Sequence, residues 1–390
     1  MHLLVVSHSC ATPINQQIYA ELERQTGWKM TLVVPDAWKD EFGNILSKEK
    51  WPEFSGDLIS IPVWKSGNII LHVYKENWGA FLDAGRFDAI YVNHEPYALA
   101  TAHLCWANSR TLKAPFGFYS CQNILKKYPP PFSWSEGTVF RKSSFAFPIT
   151  EAVEEVLIAK GFRGISTVCA LPLDPGIYRP RGLEEDLKLI PRANDETIIG
   201  YVGRLVEAKG LRTLVDSLGS LQDLSWRLVV IGTGEFEATF RRLLTEGGII
   251  NRVVFSGYVP HAETPRYLSA FDVLVVPSET QPNWKEQFGR VITEAMSCGT
   301  PVIGSSSGEI PNLIRKSNGG LIFPEKNAAE FAKCLRQMIT QKDLRQKLGE
   351  NGRKWVESEV SLSAVAKKMA TTLEMATILE QVTGSEKRRA

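Results

Sequence analysis

The chain is predicted to be an α/β protein made of two Rossmann-like, doubly wound domains. Three observations carry this expectation. Short apolar strands alternate with helical stretches, which is the pattern of a parallel sheet covered on both faces. The pattern stops at Pro172-Leu173-Asp174-Pro175-Gly176 and restarts at Ile198 after a polar stretch from Arg179 to Glu196, read as a linker. At 390 residues the chain is also too long for one ordinary core and fits two domains of typical size. The expected division is 1–178, 179–361 and a C-terminal amphipathic helical segment, 362–390, which either packs back on the first domain or caps the chain.

In the first domain the expected strands are Leu3–Val6, Met30–Val34, Leu58–Pro62, Ala89–Val92, Phe116–Tyr119, Phe145–Pro148 and Val168–Leu171. Helices are expected at Ile14–Arg24 and Tyr97–Asn108. The second domain repeats the scheme with strands Ile198–Val202, Arg227–Ile231, Val253–Ser256, Val273–Pro277, Pro301–Gly304 and Gly320–Phe323. Its expected helices are Gly210–Leu218, Glu237–Glu246, Thr264–Ala270, Arg290–Cys298 and Ala328–Lys342, and the last segment is Leu362–Glu380. Two such units are expected to leave a cleft bordered by the carboxyl ends of both sheets, where ligands of these folds bind.

Composition narrows the function. The chain is 44% hydrophobic and 23% charged with a net charge of +2, so nothing global points to nucleic acid. No run approaches the roughly 20 apolar residues of a membrane span. The start, Met1 to Val6, reads as a buried strand rather than a leader. Six scattered cysteines without a CxxC pair read as reduced thiols, and no histidine sits at metal-ligand spacing. A cytoplasmic protein with no metal and no cofactor is therefore expected, with peripheral contact at the inner face of the membrane as its furthest association.

Two segments carry chemistry. In Glu286-Gln287-Phe288-Gly289-Arg290, followed by Glu294, the absence of a Cβ at Gly289 lets a ligand approach the backbone. A helix starting near Phe288 would direct unpaired N–H groups at a diphosphate. Glu294 can accept two hydroxyl hydrogen bonds, as a ribose offers, and Glu286 can stabilise positive charge at an anomeric carbon. The alternative is an amphipathic helix with two solvated glutamates. In Gly203-Arg204-Leu205 to Lys209-Gly210, both cations can reach one pyrophosphate and meet the charge that builds on it as a bond breaks. A solvated Arg-Lys pair is the alternative there.

These segments, with Val230-Ile231-Gly232-Thr233-Gly234, Phe255-Ser256-Gly257-Tyr258-Val259, Val275-Val276-Pro277-Ser278 and Gly304 to Pro311 in the same order, resemble glycosyltransferase family 4. That family comprises retaining, group 1 glycosyltransferases of the GT-B fold. The resemblance implies donor binding by Gly203, Arg204, Lys209, Phe288, Gly289, Arg290 and Glu294, with Glu286, Arg204 and Lys209 catalytic. It implies a nucleoside-diphosphate sugar as donor and a glycan or lipid-linked glycan as hydroxyl acceptor, without a metal. A non-catalytic nucleotide-sugar binder and a sugar-nucleotide epimerase share these parts. A nicotinamide enzyme is disfavoured because no GxGxxG follows the first strand.

The first domain departs from the family. Its first loop, Ser7-His8-Ser9-Cys10-Ala11-Thr12, lacks the usual glycines, and Ser120-Cys121-Gln122-Asn123 stands where many members place a histidine. His8, His94, Gln122 and Asn123 are the candidate acceptor or sugar contacts, with a His94-Glu95 turn as the plainer reading. His72, His103 and His261 are expected to be structural or surface residues. The segment Asn123–Trp134, with Lys126, Lys127 and aromatic neighbours, is expected to pack as a rigid loop or to touch a membrane surface.

Overall fold

The computed structural model describes residues 1–39, 43–182, 189–190, 192–193 and 195–386. Part of the expected linker, residues 183–188, 191 and 194, lies outside them. The chain divides into two compact units, one formed by Met1–Pro172 with Leu362–Ala390 and the other by Leu173–Ser361.

The first unit is built on a seven-stranded parallel sheet. Its order from edge to edge is Ile165–Ser166, Phe145–Pro148, Phe116–Ser120, Ala89–Val92, His2–Val6, Lys29–Pro35 and Asp57–Ile61. The alternation of a strand decides which layer each residue fills. Leu3 and Val5 join the core on one face with Leu32, Val34 and Tyr91, whereas Leu4 and Val6 join the other with Val33, Ile90 and Val92. The first face is closed by the helix Gln17–Thr26 and by Leu362–Glu386, which contributes Val365, Ala366, Met369, Leu373 and Ala376. The second is covered by Trp78–Gly85, Leu99–Asn108, Phe132–Lys142 and Glu151–Ala159.

The second unit repeats the plan with six parallel strands, in the order Val253–Gly257, Trp226–Ile231, Thr197–Val202, Val273–Val276, Val302–Ser305 and Gly320–Phe323. Ile199, Tyr201, Leu228, Val230, Val273 and Val275 face the helices Leu211–Gly219, Glu237–Glu246 and Ala328–Thr340. In both sheets the chain winds outward from a central strand and then crosses to its other side. The reversal falls between His2–Val6 and Ala89–Val92 in the first unit, and between Thr197–Val202 and Val273–Val276 in the second. The connections that follow the two strands at such a point run in opposite directions, so their loops part and leave a crevice.

Several expectations are corrected. The edge strand of the first sheet lies at Ile165–Ser166, not Val168–Leu171, because Ile165, Thr167 and Cys169 donate in turn to Ser144, Ala146 and Pro148. The helix expected to run to Lys342 stops at Thr340, where Gln341 (φ −115°, ψ 86°) breaks it, and Lys342–Glu359 forms a separate helix. Two hairpins that strand alternation did not signal, Ala37–Lys39 with Ile45–Ser47 and Val63–Trp64 with Val73–Tyr74, sit beside the first sheet. Among the described residues no helix is long and apolar enough to cross a membrane.

Leu373 is fully buried under the first sheet, while Glu374 beside it is exposed. Leu373→Ala should therefore cost about 3 kcal/mol, and Glu374→Ala no more than about 0.5 kcal/mol. Urea unfolding followed by circular dichroism measures both, and equal losses would mean that the C-terminal helix does not share this core.

Candidate functional site

The crevice of the second unit is formed by the loops after Thr197–Val202 and Val273–Val276. Gly210 sets their approach. It adopts a left-handed conformation (φ 67°), and a Cβ there would fall 1.9 Å from the carbonyl oxygen of Pro277. Glu279 N donates to Ala208 O (2.8 Å) and Thr213 Oγ1 to a Glu279 carboxylate oxygen (2.7 Å), fixing the two loops side by side. Lys209 is thereby aimed at Glu286. Its Nζ donates to Glu286 Oε2 at 2.6 Å, Ser278 Oγ donates to the same oxygen at 3.0 Å, and the ammonium lies 4.9 Å from the centre of the Trp284 ring.

A cavity of about 200 Å³ opens here, lined in part by Lys209, Ser278, Glu286, Gly289 and Arg290. The helix Arg290–Ser297 starts at its wall with Gly289 as N-cap, in left-handed backbone (φ 72°, ψ 55°), and no side chain caps it. The helix thus begins at Arg290 rather than near Phe288, and Phe288 is buried ahead of it. An uncapped N-terminus directs backbone donors and the positive end of the helix dipole at whatever fills the cavity. Glu294 lies one turn on, buried. Arg290 Nε is 3.0 Å from Glu294 Oε1, within ion-pair distance but not aligned for a hydrogen bond, so Oε1 keeps an unused acceptor position. Tyr178 is close by, its phenol pushed above the usual range first by burial and then by the Glu294 charge. Arg204 follows Gly203 at the end of Thr197–Val202, with its side chain exposed. Burial, with the charge of Glu286 behind it, also raises the Tyr201 phenol, whose hydroxyl donates to Arg204 O at 2.8 Å.

The second unit therefore brings Lys209, Glu286, Gly289 and Arg290 around one cavity and places Glu294 one turn along the same helix. A lysine, an uncapped helix end and an open carboxylate oxygen form a surface suited to an anion attached to a hydroxylated ring.

In the first unit, His8 and His94 follow the two strands that flank the reversal. Their Nδ1 atoms are 2.7 Å apart. His94 is buried, and His8 is partly exposed. Burial holds both imidazoles in the neutral form, His8 near pKa 3 and His94 well below its ordinary value. Glu95 turns away from them. Its buried carboxylate accepts from Ser120 Oγ (2.8 Å), Cys121 N (2.8 Å) and Cys121 Sγ (3.0 Å), and burial raises its pKa. Gln122 Nε2 donates to the Tyr128 hydroxyl at 3.3 Å and its Oε1 accepts from Ile124 N at 3.1 Å, while Asn123 is buried. Gln122 and Asn123 thus form a loop held by Glu95, apart from the His8–His94 contact. His72, expected to be structural or at the surface, is buried with its ring 4.8 Å from that of His94 and 5.6 Å from that of His8. No spacing signal betrays it, because the turn between Val63–Trp64 and Val73–Tyr74 delivers it. His261 meets the Tyr178 hydroxyl at 3.1 Å, and His103 lies on the helix Leu99–Asn108.

Replacing Gly210 by Ala should cost about 2 kcal/mol or more, from left-handed backbone and the clash with Pro277. Gly219→Ala, at a helix end with nothing within 4 Å of its Cβ position, should be near neutral. Thermal unfolding of both variants checks this, and a neutral Gly210→Ala would mean that the two loops are not locked together.

Residues 184–355 match the family described as glycosyl transferases group 1. The chain is 29% identical over 210 residues to a GDP-mannose-dependent α-(1-6)-phosphatidylinositol monomannoside mannosyltransferase of Mycobacterium tuberculosis, covering 52% of this chain and 54% of that protein. It is 31% identical over 173 residues to the 2-deoxystreptamine glucosyltransferase of Streptomyces kanamyceticus, covering 43% of each. The chain thus spans about half the length of these curated relatives. The fold is that of sucrose-phosphate synthase from Thermosynechococcus elongatus (TM-score 0.71, 19% identity, 99% of this chain and 100% of that one). It is likewise that of HepE from Anabaena, solved with UDP (TM-score 0.72, 17% identity, 96% and 100%). Residues 184–355 are thus similar to the group 1 glycosyl transferases, and the two parallel-sheet units have the GT-B fold of these solved structures.

Proposed function

We propose that the protein transfers a glycosyl group from a nucleoside-diphosphate sugar to a hydroxyl of a glycan or lipid-linked glycan, with retention of configuration. The observation that carries this reading is the cavity at the reversal point of the second sheet. It joins Lys209, Glu286 and the uncapped helix start at Gly289, with the open Glu294 oxygen one turn on. In this reading Lys209, Arg204 and the N–H groups at Gly289 and Arg290 hold the diphosphate, and Glu294 receives the ribose hydroxyls. The relatives whose names specify GDP-mannose, and the UDP bound to HepE, support a nucleotide-linked donor as a class.

The reaction follows from where charge develops. The bond between the anomeric carbon and the diphosphate oxygen breaks, and negative charge grows on the diphosphate against Lys209, Arg204 and the helix dipole. Glu286 faces the positive charge at the anomeric carbon. The acceptor oxygen bonds to that carbon from the face the diphosphate leaves, and its proton passes to a diphosphate oxygen. This route requires no close pair of carboxylates of the glycosidase kind. On the acceptor side the partly exposed His8 is the contact we assign, with buried His94 behind it and Gln122 and Asn123 on the neighbouring loop. A cytoplasmic protein meeting lipid-linked acceptors at the inner face of a membrane suits this reading.

Thermal shift against UDP, GDP, ADP and their common sugars tests it. One nucleotide should stabilise the protein, by about 2.7 kcal/mol at about 100 times its dissociation constant. Glu294→Ala and Arg204→Ala should each weaken that nucleotide at least about tenfold, or 1.4 kcal/mol. A folded protein that no nucleotide stabilises at millimolar concentration would overturn the donor site.

A further inference from the structure

In the first unit, the acceptor contact assigned to His8 accounts for only part of a larger cluster. His8, His72 and His94 converge from three separate segments, with a nitrogen of each within 4.8 Å of those of the other two. We propose that these three imidazoles form a binding site for a divalent transition cation of the zinc class, with one coordination position left open.

The arrangement of hydrogen bonds supports this. His72 Nδ1 lies 3.1 Å from both Asn68 O and Ile69 O, and carbonyl oxygens only accept, so Nδ1 carries the proton. That leaves the lone pair on Nε2. This atom is buried and has no hydrogen-bond partner. An imidazole that donates one nitrogen to a backbone carbonyl and offers the other, unpaired, to an interior is oriented as metal-bound histidines are. His103 also has a buried ring nitrogen without a partner, at Nδ1, but it has no other imidazole of this cluster beside it.

His8 and His94 complete the set. Their Nδ1 atoms point at each other across 2.7 Å, with the ring planes only 15° apart. A single shared proton accounts for that contact without a metal, but it leaves His72 unmatched. One ion resolves all three nitrogens together. With bonds of about 2.1 Å in tetrahedral geometry, ligand nitrogens sit about 3.4 Å apart, inside the span from 2.7 to 4.8 Å seen here. Nitrogen-only ligation favours zinc, nickel or copper over magnesium or calcium. The Trp38 ring packs 4.7 Å from His8 and 5.1 Å from His72, walling the cluster on that side. His8 alone of the three reaches solvent, so the open position faces outward there and would take a water or an oxygen of a hydroxyl or carboxylate ligand. The site stands on the first unit alone and does not depend on the donor reading.

Untagged full-length protein, stripped with chelator and dialysed, is titrated with Co²⁺ and, by competition with a chromophoric chelator, with Zn²⁺. The expected result is one equivalent of Co²⁺ per chain, with the visible absorption of four- or five-coordinate cobalt, and micromolar or tighter Zn²⁺ binding. His8→Gln and His72→Leu should each lose at least about tenfold in affinity and change the cobalt spectrum. His103→Gln, outside the cluster, should behave as the wild type. If His72→Leu fails to fold by circular dichroism, His8→Gln decides alone. Absence of saturable cobalt binding below millimolar, or unchanged binding by folded His8→Gln, overturns the site. Because the readout is metal occupancy, its failure leaves the nucleotide result untouched, and the reverse holds equally.

Discussion

Each unit depends on one topological constraint, the reversal of winding at the centre of a parallel sheet. Adjacent strands that hand the chain to opposite sides cannot be bridged by a short loop, so their carboxyl ends part. Every candidate site group in the second unit is carried by the two loops that part there or by the helix that follows. In the first unit the corresponding loops supply His8 and His94. A sheet buried on both faces fixes where those loops begin, because a one-residue slip would exchange the two core layers to which Leu3 and Leu4, or Ile198 and Ile199, belong.

On that frame the electrostatics of the second unit's cavity are set by the Lys209–Glu286 pair. It is only partly buried, the side chains being 20% and 12% exposed, so the pair keeps contact with solvent or ligand. Ser278 supplies a second donor to the same carboxylate oxygen, so Glu286 is held from two sides. The uncapped Gly289 turn adds backbone donors that no side chain competes for. Dipoles and charges are thus already in position around the cavity, the arrangement that the proposed transfer requires.

Much of this was legible in the sequence. Strand positions followed from apolar runs because strands buried on both faces leave little freedom in composition, and the segments Gly203–Gly210 and Glu286–Glu294 pointed to residues, Lys209, Glu286, Gly289 and Arg290 among them, that line one cavity. What escaped was structure without a periodic signature. The hairpin delivering His72 has strands of only two residues each, and the edge strand at Ile165–Ser166 is as short. His8 and His94 are 86 positions apart, so their contact is a product of sheet order, which no local pattern encodes. Glu95 reads as half of a His-Glu turn until the fold sends its carboxylate to Ser120 and Cys121.

The account rests most heavily on the division of labour at the Lys209–Glu286 pair, and Glu286→Gln separates its parts. Nucleoside-diphosphate affinity and the steady-state rate of glycosyl transfer should be measured together on this variant. Because Gln keeps the hydrogen bond and loses only the charge, affinity should stay within about twofold of wild type while the rate falls about 100-fold or more. A variant that transfers at the wild-type rate would contradict the assignment of Glu286 to the reacting sugar.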